Sequence, residues 1–263
     1  MADKNERLPL SRSKQFVISE DTRFVITEAY KTARTNLIFS LAPCKNKISV
    51  VTSCSPAEGK STNCLNLAIT MAQMGASVLI IDADMRKPVL HALLDLENKT
   101  GLSTVLGGIT DDVAKVIKQK VRPSLDVLTS GPIPPNPAEL LSSKKMQLLL
   151  ELVGKHYEYV FIDTPPVTVV SDAFLMNKNT AGMIFVIKEN HTSHGAINDA
   201  LERIKMTDGK VLGFIKTNCG SKGGRGYKNY DYKYNYRYRY DYKYTYHEDK
   251  AEDTGGSKDK KKK

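Results

Sequence analysis

Ile48-Ser49-Val50-Val51-Thr52-Ser53-Cys54-Ser55-Pro56-Ala57-Glu58-Gly59-Lys60-Ser61 decides the fold. Its first six residues form a short β-branched, apolar run, which reads as a buried strand. The next eight match the phosphate-loop pattern G-x-x-x-x-G-K-[ST], with Cys54 in place of the first glycine. A helix is expected from Lys60 to about Met74, closed by Gly75. Strand, loop and helix in this order give a phosphate cradle, because loop N–H groups and the helix N-terminus attract anions. The contact set is Ser55, Pro56, Ala57, Glu58, Gly59, Lys60, Ser61 and Thr62. In it, Lys60 reaches the β/γ-phosphates, the Ser61 hydroxyl ligates Mg²⁺, and Thr62 touches the α-phosphate. The bland alternative is an ordinary strand–loop–helix turn.

Carboxylates elsewhere weigh against that alternative. Val78-Leu79-Ile80-Ile81 ends in Asp82, with Asp84 two residues on, and Tyr159-Val160-Phe161-Ile162 ends in Asp163. Each acid follows an apolar run, so each should emerge at the carboxyl edge of a sheet, where α/β proteins bind ligands. Three facing carboxylates would repel one another unless a cation sat among them. Further strands are expected at 125–128, 183–187 and 211–215, with helices at 146–153 and 195–206. Another helix should begin at Thr22, capped by Asp21 or Thr22. Its face would be Val25, Ala29, Ala33, Leu37 and Leu41, and Pro43 would end it. Short apolar strands alternating with helices predict an α/β, P-loop NTPase-like, mostly parallel sheet with helices on both faces.

Charge and tyrosine are placed unevenly. The formal charge is +10, and residues 222–263 carry 13 basic and 7 acidic side chains, more than half of the excess. Ten of the 13 tyrosines lie in the same stretch: Tyr227, Tyr230, Tyr232, Tyr234, Tyr236, Tyr238, Tyr240, Tyr242, Tyr244 and Tyr246. With no aliphatic residue among them and a glycine-rich approach, this stretch cannot build a core. The expected organisation is a domain at 1–221, irregular over its first 20 residues, and a disordered basic tail at 222–263. A 41% hydrophobic content excludes a wholly disordered chain. The polar start, the lack of a membrane-length apolar run and four cysteines without a CxxC pair predict a cytoplasmic protein with reduced thiols.

Residues 53–62 resemble the Walker A motif of bacterial tyrosine kinases. Val78-Leu79-Ile80-Ile81-Asp82-Ala83-Asp84-Met85-Arg86-Lys87-Pro88 resembles their Walker A′ motif, and Phe161-Ile162-Asp163-Thr164-Pro165-Pro166 their Walker B. Gly131-Pro132-Ile133-Pro134-Pro135-Asn136-Pro137-Ala138-Glu139-Leu140-Leu141 and the tyrosine cluster complete the likeness, which runs from about Glu28 to Tyr246. Partition ATPases of the MinD and ParA type share this P-loop class. They carry a signature lysine where Ser55 stands here, so the departure favours the kinases.

The resemblance implies an ATP- and Mg²⁺-dependent autokinase that phosphorylates its own tail tyrosines and controls capsular or extracellular polysaccharide export. It implies Lys60, Asp82, Asp84 and Asp163 as catalytic residues, with Asp82 taking or orienting the tyrosine proton. Ser61, Asp84 and Asp163 would hold the metal, and Arg86 would contact phosphate or brace the site. It also implies an assembly motif E-x-x-R-x-x-R, here Glu28, Lys31 and Arg34, building a homo-oligomeric ring, octameric in the family. Lys31 lacks the bidentate fork of arginine; a solvated helix face with i,i+3 ion pairs is the plain alternative. The expected partners are a transmembrane activator of the polysaccharide co-polymerase type, which would recruit the chain to the inner membrane face, and a cognate tyrosine phosphatase; nucleic acid is not expected. Three rivals differ in chemistry: a partition or nucleic-acid ATPase whose aromatic, basic tail stacks on single strands, a non-catalytic scaffold with a tyrosine ladder, and a kinase of other proteins whose tail only regulates.

Overall fold

The computed structural model describes residues 13–110 and 112–219. The motif-bearing apolar runs become β1 (Ile48–Ser53), β2 (Val78–Asp82) and β5 (Tyr159–Asp163), each buried along its whole length. The other strands are β3 (Lys118–Arg122), β4 (Leu125–Leu128), β6 (Gly182–Lys188) and β7 (Val211–Thr217). The sheet order is β3-β4-β2-β5-β1-β6-β7, which puts the three motif strands side by side. All pairings are parallel except β3 with β4. The register sets Asp82 opposite Asp163 and Val51 opposite Asp163, so the acids and the loop leave the sheet at one edge.

Alternation sends strand side chains into two cores. Val50, Leu79, Ile81, Val160 and Ile162 join Leu149, Leu150 and Val153 of the helix Lys144–His156 and Ala200 and Ile204 of the helix His194–Met206. Val51, Val78, Ile80 and Phe161 join α1 (Phe24–Leu41) and α2 (Lys60–Ala72) on the other face. α2 lies between α1 and the sheet, and all but one of its residues are buried.

Three expectations need correction. The edge strand β3 is absent from the sequence reading because Lys118-Gln119-Lys120-Val121-Arg122 has one apolar residue; charged, exposed edges of this kind discourage pairing with another chain. α1 starts at Phe24 without a side-chain cap, and Thr22 Oγ1 instead accepts from Ser19 N at 2.9 Å. Only the lower half of its expected face is covered: Leu37 and Leu41 are buried, whereas Val25 is exposed. The segment before it is also more than irregular chain, since Val17 and Ile18 are buried in the α1–α2 core. Asn66 of α2 grips this segment, accepting from Ile18 N at 2.9 Å and donating to Phe16 O at 2.8 Å, and Arg122 donates to Ile18 O at 2.6 Å.

The chain divides into compact units Met1–Thr217 and Asn218–Lys263, and the 221/222 boundary read from sequence lies outside the described residues. The ten tail tyrosines lie outside the described residues. Among the described residues no helix is long and apolar enough to cross a membrane, and the four cysteines are free thiols.

Candidate active site

The loop from Cys54 to Gly59 joins β1 to α2 through two left-handed residues, Ala57 (φ 63°) and Gly59 (φ 88°). A non-glycine residue in that region is strained, and it is held here by its neighbours. Asn63 fixes the turn into α2, since its side-chain and backbone N–H groups both donate to Gly59 O, at 2.9 and 3.0 Å. Tyr30 of α1 donates to Asn63 Oδ1 at 2.9 Å. No side chain caps the start of α2, which leaves its first N–H groups without a side-chain acceptor, as an anion site requires. Ser61 and Thr62 lie on that first turn.

Lys60 is the hub. Its Nζ lies 2.9 Å from Asp84 Oδ2, 3.3 Å from both oxygens of Asp163 and 3.1 Å from Ser61 Oγ. Burial alone would depress this ammonium, but the adjacent charges of Asp163 and Asp84 outweigh it and raise its pKa. Asp82 is completely buried and accepts from the N–H groups of Asp84 (3.2 Å), Val89 (3.3 Å) and Leu90 (3.1 Å). Burial and the repulsion of Asp163 push it up to about 8. Asp163 is raised as well, first by burial. The site therefore holds three carboxylates and one ammonium in a desolvated pocket at the strand ends.

This donor set fits Mg²⁺. A serine hydroxyl and two carboxylates are hard oxygen ligands, and Mg²⁺ takes one or two carboxylates while keeping water and phosphate oxygens. Among the described residues no group of three or more His, Cys, Asp or Glu is placed to hold a metal by itself.

Other expected residues fall elsewhere. Arg86 forms a bidentate pair with Asp172, at 2.9 and 3.2 Å, bracing the Walker A′ loop against the segment after β5. Glu58 turns its carboxylate inward to Ser55 N at 3.0 Å and to the Thr192 hydroxyl, away from the loop mouth. In the assembly triplet, Lys31 pairs with Glu28 at 2.8 Å on the exposed face of α1, whereas Arg34 points inward and donates to Thr70 O at 2.9 Å. Asp172, Thr192 and Thr217 escaped the sequence reading. All three follow the C-terminal end of a strand or stand on it, which was the available signal.

Comparison with known proteins agrees with this geometry. An AAA domain model matches residues 46–212. The chain is 41% identical over 206 residues to tyrosine-protein kinase YwqD of Bacillus subtilis, covering 78% of this chain and 86% of that protein. It belongs to the bacterial tyrosine-protein kinase family. The chain is 32% identical to tyrosine-protein kinase etk of Escherichia coli, over 80% of this chain but 29% of etk. The solved kinase domain of E. coli tyrosine kinase ETK superposes with a TM-score of 0.71 at 29% identity, covering 85% of this kinase and 87% of that chain. The Pyrococcus furiosus cell division ATPase MinD, at TM-score 0.58 and 20% identity over 67% of this chain and 74% of its own, shares the fold alone. The kinase thus has a P-loop nucleotide-binding core and transfers phosphate to tyrosine.

Proposed function

We propose that this kinase is an ATP- and Mg²⁺-dependent autokinase. Its acceptors are its own tail tyrosines, Tyr227 to Tyr246. Transfer occurs in trans within a ring of identical chains, and it regulates capsular or extracellular polysaccharide synthesis and export. The observation that carries the reading is the meeting of Lys60 with Asp84, Asp163 and Ser61 at the foot of the phosphate loop.

The tyrosine oxygen attacks the γ-phosphorus, the bond to the β–γ bridging oxygen breaks, and ADP leaves. Such transfers are loose, so positioning and charge neutralisation do most of the work. Lys60 supplies a fixed positive charge, and the loop amides hold the β-phosphate. Asp82 receives the phenolic proton; its raised pKa brings it nearer to the ordinary ~10 of tyrosine and makes it a better-matched base than a free aspartate. Ser61, Asp84 and Asp163 would hold Mg²⁺, which when bound neutralises phosphate oxygens. A transmembrane activator of the polysaccharide co-polymerase type recruits the kinase to the membrane, and a phosphatase resets it.

The tail chemistry follows from charge. Its net +6 draws it to a site rich in carboxylates and phosphate. Each phosphotyrosine adds about −1.5 to −2, so roughly four to six reverse the segment; it then leaves the site and the ring dissociates. The test is incubation with labelled ATP and Mg²⁺, mapping of modified residues, and sizing before and after. Phosphate on Tyr227–Tyr246 with a fall in assembly size supports the reading. No phosphotyrosine in a chain that binds Mg-ATP, or an unchanged assembly after heavy phosphorylation, rejects it.

A further inference from the structure

Glu58 is an anion built into an anion-binding loop. Its side chain is buried, and no lysine or arginine pairs with it among the described residues. A buried carboxylate needs hydrogen bonds in place of water. Two donors supply them: the Ser55 N–H at 3.0 Å and the Thr192 hydroxyl, which the chain after β6 carries. Thr192 is itself fixed, because its Oγ1 accepts from Lys188 N at 2.8 Å. The Cys54 thiol beside it is pushed up to about 12, by burial and then by the charge of Glu58.

A second hydroxyl holds the same residue from the other side. Thr217 Oγ1 donates to Glu58 O at 3.1 Å. Thr217 is the last residue of β7 and the last rung of its pairing with β6, opposite Lys188. It is also the last residue before the segment that carries the ten tyrosines. Ala57, the residue just before Glu58, is held in the left-handed region.

We propose that Thr192 and Thr217 are positioning residues for the phosphate loop, acting through Glu58. The inference rests on the phosphate-loop reading above. With the Thr192 hydroxyl in place, the carboxylate of Glu58 is turned away from the phosphates and keeps the Ser55 amide oriented. With the Thr217 hydroxyl in place, the peptide after Glu58 is fixed next to left-handed Gly59.

The experiment uses the full chain and measures Kd for a fluorescent ADP with Mg²⁺, together with KM and kcat for tail phosphorylation. Thr217→Val and Thr192→Val should each weaken ADP by about threefold to tenfold, the equivalent of one hydrogen bond. The loss should appear in KM rather than kcat. Thr217→Ser, which keeps the hydroxyl, should restore wild-type affinity. Unchanged Kd in both valine variants, or equal loss in Thr217→Ser, overturns the proposal. Wild-type protein that binds no ADP would instead overturn the phosphate-loop reading.

Discussion

Replacing Lys60 with methionine removes the ammonium that, among the described residues, faces three buried carboxylates. Nζ contacts Asp84 at 2.9 Å and Asp163 at 3.3 Å, and the lysine side chain is 9% exposed. Deleting one partner of a buried ion pair costs about 3–5 kcal/mol. A domain of this size loses about 2–4 °C of Tm per kcal/mol, so the nucleotide-free variant should melt roughly 6–20 °C below wild type at pH 8. The sign with pH follows from the acids. Asp82 and Asp163 already lie above their ordinary values, and losing the ammonium raises them further. An acid with a raised folded pKa gives stability that is complete below its unfolded value and lost as pH rises through the folded one. The deficit of Lys60→Met should therefore shrink steadily from pH 8 to about pH 5. Millimolar Mg²⁺ without nucleotide should recover part of it, because the oxygens released by Lys60 are hard ligands. Thermal melts by circular dichroism across that range, with and without Mg²⁺, provide the assay. A variant as stable as wild type at pH 8, or one whose deficit grows on acidification, would refute the argument.

Other perturbations test separate parts of the structure. Asp82→Asn should lower tail phosphorylation by about 10²–10⁴-fold, the usual range for losing a general base. Because ionising Asp82 costs stability between its ordinary value of about 4 and its raised value of about 8, the Tm of the variant relative to wild type should climb through that window and level off above it. Asp172→Asn removes the charge that Arg86 grips in a bidentate pair; with Arg86 partly exposed, the loss should be about 1–2 kcal/mol, read from urea midpoints. Gly101→Ala should be the most damaging surface-remote change, because its Cβ would stand 2.2 Å from Gly131 N and 2.3 Å from Thr129 O, both backbone. Little soluble protein, or a cost beyond the usual 1–3 kcal/mol of overpacking, is expected there.

The site was legible because its chemistry is local and repeated. A β-branched run followed by Asp or by a glycine-bearing loop announces a strand end at the carboxyl edge, and the order of three such runs is enough to predict one rim. β1, β2 and β5 are buried on both faces, so their apolar pattern is continuous and easy to read. β3 is an edge strand with four polar residues, and its pairing is decided by β4 and the turn rather than by its own composition. The N-terminal segment was misread for the same reason. Two apolar residues, Val17 and Ile18, are too few to make a periodicity, and their burial depends on Asn66 and Arg122, which lie far away in the chain. Glu58 and Arg86 sit inside motifs whose spacing gives their place but not their direction. Whether a long side chain turns to the ligand or to a neighbour is fixed by Thr192 and Asp172, and no local pattern marks those partners.

The grip of Asn66 on Phe16 and Ile18 bears on how the kinase can be cut or joined to other sequences. A boundary drawn from the motifs would fall just ahead of α1, near residue 21. That cut strips two apolar side chains from the core between α1 and the phosphate-loop helix. It also strands a buried amide and a guanidinium without their acceptors. With residues 16–18 kept, a pull on this segment is passed through Asn66 straight to the helix that begins with Lys60, so the natural handle for mechanical input lies ahead of the first recognisable element.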